Sequence, residues 1–207
     1  MLSGAELDRA RRITHYESWL QFVRARALLR LMLNHCTGLP PHSFAFADET
    51  GEAPRLIDNP WGLHLSVSHS FDWAIVVVGD APLGIDLERM HPDCDWERIA
   101  EVCFHPNEQQ CLRQAPQQLR LDAFFEIWTR KEAYLKGIGV GMAEDPSAFS
   151  VACDSISTHR RGTTSRAWYV QDVEAPPGYK AALASEQRRP SIAPIDLQQL
   201  LGGMAVR

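Results

Sequence analysis

Three short stretches of this 207-residue chain carry chemically active residue types at spacings that let them act together. The first is Gly84-Ile85-Asp86-Leu87-Glu88. On a strand, side chains alternate, so Asp86 and Glu88 project to one face about 7 Å apart, and Ile85 and Leu87 to the other. Two carboxylates so placed suit a hard cation such as Mg²⁺, and equally suit a strand with one solvated face. The second stretch is Trp128-Thr129-Arg130-Lys131-Glu132-Ala133-Tyr134-Leu135-Lys136, in which Trp128, Glu132 and Lys136 share one helical stripe. As a surface pair, Glu132 and Lys136 would contribute about 0.3–0.5 kcal/mol. Joined to Asp86 and Glu88, Glu132 would instead complete an oxygen-only site with room for water and phosphate, which suits Mg²⁺. The third is Ser66-Val67-Ser68-His69-Ser70, a polar turn whose hydroxyls and imidazole could hold an oxyanion. It lacks the Gly-x-Ser-x-Gly elbow of a hydrolase nucleophile. Gly137-Ile138-Gly139-Val140-Gly141 follows a helix rather than a strand, so it is no dinucleotide fingerprint. The eight His show neither HExxH nor HxH spacing, which leaves little support for zinc.

The elements that must position these groups follow from periodicity. Leu20, Val23, Ala27 and Leu31 predict a helix over residues 18–34, closed by Gly38 and Pro40, with Arg26 and Arg30 on its polar side. A short strand is expected at Phe44–Phe46. Leu63–Ser68 alternates as a strand, and the run Ala74–Val78 is expected to form a hairpin with Leu83–Glu88 across a turn at Gly79–Pro82. Asp95 is placed to cap Trp96–Cys103, and Asn107 with Gln110 resembles a capping box. A long helix is expected from Leu119 to Lys136, stopping at Gly137. Phe149–Val151, Ala167–Val170 and Tyr179–Ala184 read as strands, and the tail after Glu186 as loosely held. Helices followed by strands occur twice, which predicts an α+β protein of two similar lobes, residues 1–92 and 93–207.

Composition narrows the classes. With 45% apolar and 23% charged residues the chain is globular, not disordered or collagen-like. The longest purely apolar stretch, Ala74–Val78, is far short of the ~20 residues of a membrane span. The stretch Met1–Glu6 lacks the basic and apolar regions of a signal peptide, and with five Cys that form no CxxC pair this predicts reduced thiols in a cytoplasmic setting. A net charge of −5 argues against general nucleic-acid binding. Yet Arg9, Arg11, Arg12, Arg24, Arg26 and Arg30 face a single acid, Glu17, within one segment. Three residues in the chain are Lys, and Lys131 and Lys136 stand in the same helix.

In this order the pieces resemble the 4′-phosphopantetheinyl transferase superfamily, in its larger single-chain class of the surfactin-synthetase-activator type. The resemblance runs through Arg26–Arg30, Gly51–Arg55, Ser68-His69-Ser70, Gly84-x-Asp86-x-Glu88 and Trp128-x-x-Lys131-Glu132-Ala133-x-x-Lys136. It implies two pseudo-symmetric α+β lobes with coenzyme A between them, in a monomer. It implies transfer of phosphopantetheine from coenzyme A to a serine of an acyl, peptidyl or aryl carrier protein, releasing adenosine 3′,5′-bisphosphate, in fatty-acid, polyketide or peptide synthesis. Asp86, Glu88 and Glu132 would hold Mg²⁺, and Lys136 with Lys131 would neutralise phosphate. His69 and Arg26 would contact the 3′-phosphate, with Ser68 beside them. The base would be Glu132, Glu108 or a metal-bound water. Where relatives carry Gly-Lys-Pro this chain has Glu52-Ala53-Pro54, and Arg55 would replace the missing charge. Two other classes share these groups: a silent coenzyme A or carrier-binding module, and a Mg²⁺-dependent phosphodiesterase.

Overall fold

Ser3 followed by Glu6 opens the first helix with a reciprocal cap: Glu6 N–H donates to Ser3 Oγ and Ser3 N–H to Glu6 Oε2. The computed structural model describes residues 1–47, 54–140, 143–152, 155–157 and 167–202. The chain divides into two units, residues 1–80 with 191–207, and residues 81–190. The seam expected at residues 92 and 93 falls inside the second. Among the described residues are six α-helices and two antiparallel sheets, an α+β composition.

In the first unit, helix α1 (Gly4–Arg12) is tied to α2 (Tyr16–Thr37) by a buried ion pair. Arg30 donates through Nε to Glu6 Oε2 at 2.8 Å and through one terminal nitrogen to the carbonyls of Pro41 and Phe44. Arg30 is therefore not on the polar side of α2, as its spacing from Arg26 suggested, but fully buried. Of the expected row Leu31 is buried, while Leu20, Val23 and Ala27 are only partly so and Ala25, Leu29 and Leu33 turn inward beside it, because α2 is apolar around most of its C-terminal half. Gly38, at φ 74°, closes the helix as expected. The strand expected at Phe44–Phe46 reduces to one bridge, Phe46 with Leu56. Strands β1 (His64–Ser70) and β2 (Trp73–Gly79) form the hairpin, Ser70 opposite Trp73. Leu29, Leu33, Phe44 and Val76 form this unit's core.

The second unit is a four-stranded sheet under one long helix. Strand β3 (Leu83–Arg89) pairs not with β2 in a hairpin but with the distant β6 (Tyr179–Ser185), Asp86 opposite Ala182. The order is β3-β6-β5-β4, with β4 at Ser155–Ser157 and β5 at Ala167–Val173. Helix α3 (Trp96–Cys103) has the expected bounds, though Asp95 makes no side-chain cap bond. Helix α4 (Pro106–Gln114) is capped by His105 and Glu108 instead of Asn107 and Gln110. Helix α5 (Arg120–Ile138) runs past Gly137 and closes at Gly139, φ 71°. Phe149–Val151 is not a strand; its two apolar side chains are buried beyond the turn Pro146–Ala148. The tail carries α6 (Leu197–Gly202), whose Leu200 is buried and which packs on α2 in the first unit.

Candidate active site

The backbone of β3 touches that of α5. A Cβ added to Gly84 would stand 2.1 Å from the Ala133 carbonyl oxygen and 2.3 Å from the Gly137 nitrogen. This approach explains the glycine of Gly84-x-Asp86-x-Glu88: any side chain there would push the helix off the strand. Strand alternation then turns Asp86, two residues on, toward the same helix. Its carboxylate, 2% exposed, accepts from Lys136 Nζ at 2.6 Å. Glu132 lies one helical turn before Lys136 and is half-buried. Burial pushes its carboxyl pKa up, the charge of Asp86 pushes it further, and Lys136 opposes both. The structure thus brings Asp86, Glu132 and Lys136 together. Glu88 is on the same face of β3, further along, opposite Lys180 in the register. Among the described residues no three His, Cys, Asp or Glu side chains gather closely enough to form a metal cage.

Lys131 and Glu108 are elsewhere. Lys131 Nζ donates to Glu108 Oε2 at 2.8 Å, to the Pro146 carbonyl at 2.7 Å and to the Phe149 carbonyl at 2.8 Å. Those three bonds use all three protons of the ammonium. The Phe149 ring centroid is 4.4 Å from the same nitrogen. Glu108 accepts in turn from Val151 N–H at 2.6 Å and His105 N–H at 2.8 Å. Both side chains are sealed, at 1% and 0% exposure. Burial lowers the Lys131 pKa and the Glu108 charge holds it up. Neither group is presented to a phosphate or to a carrier serine, and the geometry makes them a brace between α4, α5 and the 146–151 segment. A charged residue's burial has no local signature in sequence; only its distant partners reveal it.

The remaining candidates belong to the first unit. Ser66, Ser68 and Ser70 are buried and His69 is exposed, so alternation along β1 sends the Ser68 and His69 side chains to opposite faces. One ligand cannot engage both side chains from a single face. Arg26 is half-buried, its guanidinium 5.7 Å from the Phe22 ring centroid and 5.2 Å from that of Phe46. Arg55 is exposed, next to the Phe46–Leu56 bridge, and its carbonyl accepts from Ala47 N–H. Gly51, Glu52 and Ala53 lie outside the described residues. Two contributors carry no chemical signature in the sequence: Gly137, expected only to end α5, and Trp168, expected only as a strand residue. A glycine directly after Lys136, where a helix former is usual, is the signal that could have found the first.

A family model described as the 4′-phosphopantetheinyl transferase superfamily matches residues 82–184, nearly the whole second unit. The 4′-phosphopantetheinyl transferase HetI of a Nostoc species is 38% identical over 146 residues, covering 69% of this chain and 62% of that one. The transferase psf-1 of Bacillus pumilus is 32% identical over 168 residues, 80% of this chain and 70% of that one. Sfp of Bacillus subtilis is 26% identical over 191 residues, 89% and 82% of the two chains. The stretch that aligns with HetI is thus somewhat under two thirds of that protein's length, while psf-1 and Sfp are covered further. On these matches, and with Gly84, Asp86, Glu132 and Lys136 inside the matched segment, the chain belongs to the 4′-phosphopantetheinyl transferase superfamily.

Proposed function

We propose that the protein transfers 4′-phosphopantetheine from coenzyme A to a serine of an apo acyl, peptidyl or aryl carrier protein, releasing adenosine 3′,5′-bisphosphate. The observation that carries this reading is the meeting of Asp86, Glu132 and Lys136 where β3 touches α5. The serine hydroxyl attacks the pantetheine-side phosphorus, the bond from that phosphorus to the bridging pyrophosphate oxygen breaks, and negative charge grows on the departing bisphosphate. The Lys136 ammonium is placed to bear that charge, in the manner of other preorganised phosphoryl clamps. Of the two carboxylates considered as acceptor for the serine proton, Glu132 stands beside Asp86 and Lys136, while Glu108 is enclosed.

The donor set fits Mg²⁺. Two oxygen ligands from Asp86 and Glu132, with Glu88 further along the same face, suit a small cation that keeps waters and takes phosphate oxygens rather than an all-protein cage. When bound, Mg²⁺ supplies charge neutralisation at the pyrophosphate. His69, Arg26 and Arg55 remain the groups proposed for the 3′-phosphate end, with the Ser68 side chain set aside by its opposite orientation. The reading keeps the two-lobed, pseudo-symmetric architecture, a monomer and a cytoplasmic setting as parts of the same proposal.

The test separates transfer from hydrolysis and from mere binding. Coenzyme A and Mg²⁺ are incubated with the protein, with and without apo-carrier, and adenosine 3′,5′-bisphosphate is quantified. Release that requires the carrier is expected. Release without it would favour a phosphodiesterase, and none in either case would leave a binding module.

A further inference from the structure

The face of the sheet that carries α5 changes in side-chain size from one edge inward. Strand β3 offers Gly84, β6 offers Ala182 and Ala184, and β5 offers Val170 and Trp168. At the thin end the helix backbone rests on the strand backbone. At the thick end the indole of Trp168 fills the gap, and it bears on the helix at Gly137. A Cβ on Gly137 would stand 2.4 Å from Trp168 Cζ3, 2.8 Å from Cη2 and 3.2 Å from the Gly84 nitrogen. Gly137 is therefore held between the β3 backbone and an aromatic edge. That edge has little room to retreat. Trp168 is 4% exposed and meets Tyr134 edge-on, ring centroids 5.7 Å apart, and Tyr134 meets Phe149 at 4.7 Å. Gly137 directly follows Lys136, whose ammonium reaches Asp86 at 2.6 Å, and Asp86 is two residues from Gly84.

We infer that Trp168 is a positioning residue for the transfer: its indole edge, bearing on Gly137, sets the last turn of α5 and with it the place of the Lys136 ammonium beside Asp86. The inference rests on the reading that Lys136 serves the reaction. Trp168 touches none of the reacting groups and acts only through Gly137. On an unencumbered helix, alanine for glycine is stabilising, so a loss on replacing Gly137 comes from the groups its methyl meets, and the W168F background separates the indole from the Gly84 nitrogen.

The test is a cycle of G137A, W168F and the double variant in the full-length chain, with K136M alongside. Two quantities are read: kcat with coenzyme A and apo-carrier, and the NMR signal of the Lys136 ammonium, assigned by its loss in K136M. G137A is expected to lower kcat at least tenfold and to shift the ammonium signal. W168F, which lacks the outer edge of the indole, should lower kcat about threefold and shift the ammonium signal, less than G137A does because phenylalanine still fills most of the space. A W168F protein with wild-type kcat and an unmoved signal would overturn the inference. The double variant should return to within about threefold of W168F, because the added methyl then has room. A G137A protein with wild-type kcat and an unmoved signal would overturn the inference, as would a double variant as slow as G137A. If G137A does not fold, the double variant against W168F decides on the same criterion. A K136M protein as fast as wild type would remove the catalytic reading, and the ammonium shift would still uphold or overturn the placement by itself.

Discussion

Helix α5 carries two lysines five residues apart, each paired with a carboxylate from another element, and the two pairs differ in almost everything else. Lys131 and Glu108 are enclosed at 1% and 0% exposure, with every ammonium proton donated inside the protein. Lys136 and Asp86 are joined at 2.6 Å, but the lysine is 30% exposed and Glu132 adds a second carboxylate to the same neighbourhood. The enclosed pair has its electrostatics satisfied by α4 and the 146–151 segment. The open pair has charge on both sides and solvent access. Residue type and helix are shared, so what separates a brace from a reactive group here is what surrounds it. Residue 131 is 140° around the helix from residue 136 at 100° per residue, and so points to different neighbours.

The largest expected effect breaks the enclosed pair. Lys131→Met leaves the Glu108 carboxylate buried without its cation and should cost about 3–5 kcal/mol, measured by urea unfolding. Replacing both partners, in Lys131→Met with Glu108→Gln, should recover part of that loss, because no lone charge stays buried and the amide oxygen can still accept from a backbone N–H that Glu108 holds. A double variant as unstable as the single would show that Glu108 is not balanced by Lys131.

A smaller effect, of opposite sign, is expected beside the open pair. The Glu132 pKa is raised in the folded state, so the unfolded chain ionises first as pH climbs. Folding stability therefore falls as pH rises from the ordinary glutamate range to the raised value, and stays lower above it. Glu132→Gln removes that penalty. In the absence of divalent cation its Tm should exceed that of wild type at neutral pH, and the gain should vanish once both states of Glu132 are protonated in acid. A variant less stable than wild type at neutral pH would contradict this sign.

The smallest effect lies at the turn that presents the Pro146 carbonyl to Lys131. Asp145 accepts from Ser147 N–H at 2.9 Å and Ser147 Oγ–H at 2.8 Å, and those bonds hold its pKa down. Its contribution is present above the ordinary aspartate range and is lost as pH falls through the depressed value. Asp145→Asn should slightly lower the Tm at neutral pH and leave it unchanged in strong acid, which scanning calorimetry across that range can resolve.

The two motifs were legible because each is local: alternation set Asp86 and Glu88 on one face of a strand, and four-residue spacing set Glu132 beside Lys136. What joined or separated them was not. Strand β3 was expected to turn back on β2, yet Leu83 pairs with Ser185, about a hundred residues away, and no short-range pattern encodes that partner. Arg30 was expected on the polar side of α2, and Lys131 beside phosphate, because nothing near them in sequence announces Glu6 or Glu108. The glycines carried a readable signal whose meaning depended on the fold: Gly84 and Gly137 are required by each other and by Trp168, which only the packed sheet reveals.

The central claim is that this chain transfers phosphopantetheine and that the open pair, not the enclosed one, serves the chemistry. The most direct measurement is the intact mass of a panel of apo-carriers after incubation with coenzyme A, Mg²⁺ and either wild-type protein or Lys136→Met. With wild type, at least one carrier should become heavier by one phosphopantetheine. With Lys136→Met, assayed well below its own Tm because buried Asp86 loses its cation, the conversion rate should fall by about 10²–10³, the usual cost of removing one charge-stabilising group. No mass gain on any acyl, peptidyl or aryl carrier with wild type, or equal rates for the two proteins, would contradict the account.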